Sequence, residues 1–240
     1  MLDVDVDLQE AAVIDALKMR SCCVGQFFRA GNQPESVEGL GSFFLLRYGE
    51  KTLLATAGHV AMKVREERIP VTIRLLDKAF QFERVPFSIE INIDVAFADL
   101  DSMPSLKRFV DGYIDADCIP TYLDAVTEGK LPGEPDRVGL LGFPGSKNRL
   151  DNYDTTTNPQ LLCITADRVI RAKDCASRIS YGFSRKKTKA PYPNGMSGGA
   201  IFRVAFDQSR QAYVTLIKAI IIEHVDGQCL IGVPITAALM

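Results

Sequence analysis

Pro193-Asn194-Gly195-Met196-Ser197-Gly198-Gly199-Ala200 is the stretch on which the reading of this chain turns. Three glycines stand around one serine. Lacking side chains, they let the backbone approach a substrate carbonyl closely and turn its N–H groups toward it. The run therefore reads as a serine nucleophile carried inside its own oxyanion loop. A serine hydroxyl alone is a poor nucleophile at neutral pH and needs a base, which in turn needs an orienting group. Two further segments supply these. Leu53-Leu54-Ala55-Thr56-Ala57-Gly58-His59-Val60 brings a histidine, and Ile93-Asp94-Val95-Ala96-Phe97 an aspartate, in the chain order His, Asp, Ser. Asp94 is preferred over the nearby Asp99 and Asp101 because Val95-Ala96-Phe97 reads as a strand that buries its carboxylate. No local element joins three positions so far apart, so the fold must bring them together.

Around these segments the pattern is one of short strands. Ser42 to Tyr48 is apolar and aromatic, Gly49-Glu50-Lys51 punctuates, and Thr52 to Ala57 continues, which predicts a hairpin delivering His59 at a strand end. Val71 to Leu75 alternates, and Gln81 to Ile93 is β-rich up to Asp94. Pro120, Gly129, Pro132, Gly133 and Pro135 punctuate a connection, inside which Thr121 to Glu128 suits a helical turn. Strands resume at Val138 to Phe143, Leu161 to Val169, Ala200 to Phe206, Tyr213 to Glu223 and Leu230 to Ile235. Before all of these, Leu8 to Arg20 carries an apolar stripe of Leu8, Ala12 and Ala16, with Val13 and Leu17 alongside and acids preceding bases. That predicts a short helix, packed across a barrel or against a partner.

At its three motifs the chain resembles the trypsin-like (chymotrypsin-fold) serine peptidases, and among them the bacterial disulfide-free branch that includes the HtrA enzymes. Thr56-Ala57-Gly58-His59-Val60 resembles the Thr-Ala-Ala/Gly-His element, Asp94-Val95-Ala96-Phe97 resembles Asp-Ile-Ala-Leu/Val, and Gly195-Met196-Ser197-Gly198-Gly199 resembles Gly-Asp/Asn-Ser-Gly-Gly. Gly39-Leu40-Gly41-Ser42-Phe43-Phe44 is similar to the glycine-led hairpin before the histidine, and Gly142-Phe143-Pro144-Gly145 to a turn that opens the second half. The resemblance implies an all-β fold of two six-stranded antiparallel β-barrels with the active site in the cleft between them. The implied layout is an N-terminal helical extension over 1–21, a first barrel over 22–112 holding His59 and Asp94, a linker over 113–135, and a second barrel over 136–240 holding Ser197. It also implies roles: Ser197 the nucleophile, His59 the general base and then acid, Asp94 the group fixing the imidazole tautomer, and the N–H groups of Gly195 and Ser197 the oxyanion hole. For the primary pocket it points to Pro191 on one wall and to Ile222, Glu223 and His224 on another. Glu223 reads either as favouring a basic side chain or as an exposed strand-end acid, and His224 either as a pocket-rim or a surface-loop residue.

Two departures from the family stand out. The residue before the serine is Met196 rather than an aspartate, so the salt bridge to a freshly cleaved N-terminus cannot form and packing must hold the loop. Val60 stands where secreted members have a cysteine, so that bridge is absent.

Composition narrows the function classes. The 240 residues carry a net charge of −2, giving no global attraction for nucleic acid or an anionic membrane. No stretch approaches the ~18 apolar residues of a spanning helix. The start, Met1-Leu2-Asp3-Val4-Asp5-Val6-Asp7, is acidic where a secretory signal is basic, which predicts a cytoplasmic protein. The six cysteines show no repeating pair spacing and read as reduced, mostly buried thiols. Neither a metal nor a cofactor is expected. The basic run Ser184-Arg185-Lys186-Lys187-Thr188-Lys189 reads as a solvated loop, or as a site for an acidic regulatory partner. The expected function is a serine endopeptidase acting on polypeptides. The alternatives are a latent or non-catalytic peptide-binding module of the same fold, and an esterase. An α/β-hydrolase fits poorly, because its histidine comes last in the chain.

Overall fold

The computed structural model of the chain describes residues 6–30, 36–67, 70–130, 137–144, 150–151, 162–169, 175–182, 195–209, 211–225 and 229–239. A helix, α1 (Val6–Met19), ends in a 3-10 turn at Arg20–Cys23. Seven strands follow: β1 (Val24–Ala30), β2 (Ser36–Tyr48), β3 (Lys51–Ala57), β4 (Val71–Leu75), β5 (Lys78–Phe82), β6 (Ser88–Glu90) and β7 (Val95–Asp99), with the helix α2 (Gly58–Glu66) between β3 and β4. Two helices, α3 (Pro104–Tyr113) and α4 (Tyr122–Lys130), lead to β8 (Arg137–Gly142), β9 (Leu150–Asp151), β10 (Leu162–Val169), β11 (Ile179–Gly182), β12 (Ala200–Asp207), β13 (Ala212–Val225) and β14 (Cys229–Pro234). A single helical turn at Ile235–Ala238 follows β14.

The strands form two antiparallel units. In the second, six strands close a barrel in the order β10-β11-β14-β13-β12-β8. The first runs β5-β4-β1-β2-β3-β7-β6, and an eighth strand, β9, comes from the other half of the chain to pair with β2 at Ser36 and Val37. Among the described residues no backbone ladder joins its end strands β5 and β6. The connection between them closes that side with side chains instead: Val85 is buried, and the Phe87 ring meets Phe27 edge-on at 5.9 Å.

The apolar alternation of the strands builds a core that is continuous between the two units. Phe27, Phe43, Leu54 and Val95 from the first cluster with Phe202, Ile217, Ile220 and Val233 from the second. A separate cluster of Val138, Leu140, Tyr181, Ile201, Ile221 and Leu230 fills the second barrel. β13 serves both clusters, as side-chain alternation requires: Ile221 faces the barrel interior while Ile220 and Ile222 face the first unit.

The expected helix at 8–20 forms over Val6–Met19, starting two residues earlier and ending one earlier, and packs across the second barrel. Leu17 is fully buried against Gly139 of β8, where a Cβ would collide with it. Arg20 fixes the exit by donating to the Thr215 hydroxyl at 2.7 Å and to the carbonyl of Asp117 at 2.8 Å. α4 is held on β13 by a buried ion pair, Lys218 Nζ to Glu128 Oε1 at 2.7 Å. α3 lies at the end of the span assigned to the first barrel, where no helix was expected. Its Leu106, Phe109 and Val110 recur at helical spacing, all three buried, behind a proline at the first helical position.

Of the cysteines whose side chains are described, Cys23 and Cys229 are buried, Cys22 and Cys118 half-buried and Cys175 exposed, all as free thiols. Burial and the neighbouring Cys118 push the Cys22 thiol up to about 12. Among the described residues, no helix is long and apolar enough to cross a membrane.

Candidate active site

β3 and β7 are neighbours, with Ala57 opposite Val95, so the residues just beyond those positions emerge at one end of the sheet. β3 runs directly into α2, whose first turn carries His59. The N-terminal N–H groups of a helix lack partners within it, and Ala57 at the cap position has no side chain to offer. Asp94 performs that task from across the sheet. Its backbone carbonyl accepts the Gly58 N–H at 2.9 Å and its Oδ1 accepts the His59 N–H at 2.7 Å. A carboxylate is favoured there by the helix dipole as well. Its second oxygen, Oδ2, lies 2.9 Å from His59 Nδ1. A carboxylate can only accept, so Nδ1 carries the proton and Nε2 is left with its lone pair.

This double grip requires an unusual backbone. Asp94 has φ +59°, the left-handed region that few non-glycine residues occupy, at the end of the turn preceding β7. The two competing aspartates are engaged elsewhere. Asp99 pairs with Lys51 at 2.7 Å, which holds its carboxyl below the usual range, and Asp101 lies 3.5 Å from Lys107.

Ser197 arrives from the other unit, in the loop Gly195–Gly199 that opens β12. Met196 is completely buried in the interior cluster of the second barrel, so an apolar plug stands where an aspartate was missing. The Gly199 N–H closes a tight turn onto the Met196 carbonyl at 2.8 Å, and Gly198 N–H donates to the Ile221 carbonyl at 2.6 Å. Gly198 adopts φ +87°, and a Cβ there would collide with the Ser42 carbonyl and the Thr56 hydroxyl. Only glycine fits. Among the described residues, no acceptor meets the N–H groups of Gly195 and Ser197.

β13 breaks register between Ile221 and Glu223, leaving Ile222 out of the ladder with β14. Its carbonyl accepts the Ser197 hydroxyl at 3.4 Å. That contact is long for an O–H···O bond.

His59, Asp94, Ser197, Gly195, Ile222, Glu223 and His224 all line one cleft of about 370 Å³, within the ordinary range for ligand sites. Glu223 is exposed and His224 half-buried there. Pro191 and the basic run 184–189 lie outside the described residues. The cleft has one further wall that the sequence reading missed. Arg178 reaches it from a small bridge in which Cys175 and Arg178 exchange two 3.0 Å backbone hydrogen bonds just before β11. No motif marks that arginine, because a long-range chain path, not a local pattern, brings it there. Among the described residues, no group of three or more His, Cys, Asp or Glu is placed to hold a metal.

No protein-family model and no curated protein sequence matches the chain. Among solved structures, the active form of the Rv3671c protease from M. tuberculosis is similar at 14% identity, with 95% of this chain and 82% of that chain covered and a TM-score of 0.54. A structure of the Sesbania mosaic virus VPg protein is similar at 11% identity, with 89% and 92% covered and a TM-score of 0.45. At 14% identity the first likeness is one of fold. The chain has a chymotrypsin-like fold.

Proposed function

We propose that this chain is a serine endopeptidase that cleaves polypeptides through an acyl-enzyme on Ser197. The observation that carries the reading is the arrival of Ser197 in the same cleft as an imidazole whose Nδ1 is already tied to Asp94 at 2.9 Å. The fold likeness to a protease supports it.

The chemistry follows from these positions. The Ser197 hydroxyl leaves the Ile222 carbonyl and turns to Nε2 of His59, giving up a single 3.4 Å contact. As Oγ attacks the substrate carbonyl carbon, its proton passes to Nε2, and the Asp94 carboxylate stabilises the imidazolium. The carbonyl oxygen becomes an oxyanion facing the N–H groups of Gly195 and Ser197. Losing one such donor typically costs a factor of about 10²–10³. The C–N bond then breaks, and the Nε2 proton goes to the departing amine. Water attacks the acyl carbon, its proton passing through Nε2 to Ser197 Oγ as the serine leaves. No step calls on a metal or cofactor.

Substrate choice falls to the cleft walls, where Glu223 favours a basic side chain and Arg178 an acidic one. The short motifs and the valine after His59 fit the disulfide-free HtrA-like branch best. Digestion of denatured casein tests the reading. The wild-type chain is expected to release peptides, and Ser197→Ala to lower the rate on the order of 10⁶-fold. Undiminished cleavage by Ser197→Ala refutes the nucleophile.

A further inference from the structure

The missing aspartate before the serine leaves open which side chain sets the polar geometry of the loop, since the Met196 side chain anchors it only by apolar packing. The answer lies on the other unit. Ser42 of β2 is fully buried beneath the loop, and four hydrogen bonds converge on it. Its N–H donates to the Ser197 carbonyl at 2.8 Å, and its hydroxyl donates to the Gly195 carbonyl at 3.0 Å. The same hydroxyl accepts the Phe143 N–H at 2.8 Å, while the Ser42 carbonyl accepts the Thr56 hydroxyl at 2.7 Å.

We infer that Ser42 is a positioning residue that latches the oxyanion loop, its hydroxyl doing the work of the absent aspartate. The inference rests on the hydrolase reading for its catalytic consequence, though not for the latch itself. Gly195 and Ser197, whose N–H groups the hydrolase reading assigns to the oxyanion, both line the cleft, and the carbonyls of these same two residues are the ones Ser42 holds. Those carbonyls belong to the Gly195–Met196 and Ser197–Gly198 peptide planes, which flank the Met196–Ser197 plane carrying the Ser197 N–H, so fixing both constrains the backbone rotation that aims that donor. A glycine pair would otherwise leave that rotation loose. The hydroxyl makes one donation and one acceptance. It therefore ties the Phe143 turn, the loop and the first sheet into a single unit, the bond from Phe143 being buried and the one to Gly195 partly so, and burial strengthens such bonds.

The test compares Ser42→Ala with Thr56→Val, which removes from the same buried network a hydroxyl that donates to the Ser42 carbonyl and makes no hydrogen bond to the loop. Two readouts are taken on each: the rate constant for labelling by a fluorophosphonate, and amide hydrogen exchange of the peptide spanning Gly195–Gly199. Ser42→Ala is expected to slow labelling by about tenfold to a hundredfold and to speed exchange in that peptide, leaving reversible binding of the probe unchanged. Thr56→Val is expected to stay within threefold of wild type in labelling. Should Ser42→Ala fail to accumulate, Ser42→Cys, close in shape but a poor hydrogen-bonding partner, is expected to shift both readouts in the same direction. Labelling and exchange at wild-type values in the Ser42 variant overturn the inference, and so does an equal loss in Thr56→Val. Faster exchange in Ser42→Ala with a wild type that is never labelled keeps the latch and sinks the hydrolase reading instead.

Discussion

The His59–Asp94 corner and the Ser197 loop reach the same cleft by opposite means. The corner is assembled within one sheet, from the ends of two paired strands, and Asp94 alone supplies all three of its hydrogen bonds. The loop is assembled from a distance. It is tied to β2 by Ser42, to β13 by Ile221 and Ile222, and to the barrel interior by Met196. The difference shows where each half is vulnerable. The corner depends on one carboxylate, whereas the loop depends on glycine-only conformations and on the two units staying docked.

Asp94→Asn strikes the corner and should have the larger effect of the substitutions that set the two regions against each other. An amide presents its NH₂ where an acceptor is needed, favours the wrong imidazole tautomer, and should lower kcat by about 10⁴. Steady-state kinetics on a casein-derived peptide checks it, and a loss below tenfold would show that the corner is not limiting. Gly198→Ala strikes the loop. Its φ of +87° and the collision with Ser42 should cost about 3 kcal/mol, a fall in Tm of roughly 6–12 °C for a chain of this size. An unchanged melting curve would mean that the loop is not held as tightly as its contacts suggest.

The smallest effect is expected at the cleft's outer wall. The Ser177 hydroxyl, 3.3 Å from the Cys175 sulfur, lowers that exposed thiol's pKa, while burial and the nearby Cys118 push Cys22 up to about 12. Alkylation follows the thiolate. Iodoacetamide at pH 7.5 should therefore mark Cys175 first and leave Cys22 unmodified, by peptide mass spectrometry, with activity within twofold. A sharp loss of activity would promote the Arg178 bridge from wall to working part.

How much of this was legible in the sequence follows the same division. β4 was readable to the residue because Val71 to Leu75 alternates without interruption. The β2–β3 hairpin was readable because Gly49, at φ +60°, marks its turn. α3 was missed although Leu106, Phe109 and Val110 carry helical spacing, because the surrounding β pattern absorbed them. The β9–β2 pairing, the Ile222 bulge and Arg178 depend on chain paths that leave no local signal. Ser42 was visible only as part of a glycine-led hairpin. That its hydroxyl meets a carbonyl in the other half of the chain is information that exists only after folding.

The account stands on Ser197 being the nucleophile that His59 activates. Mass-spectrometric mapping of a fluorophosphonate adduct tests this most directly, on the wild-type chain and on His59→Ala. A single adduct on Ser197 in the wild type, slowed at least a thousandfold in the histidine variant, is the predicted result. No adduct, an adduct on another residue, or equal labelling of the two proteins would contradict it.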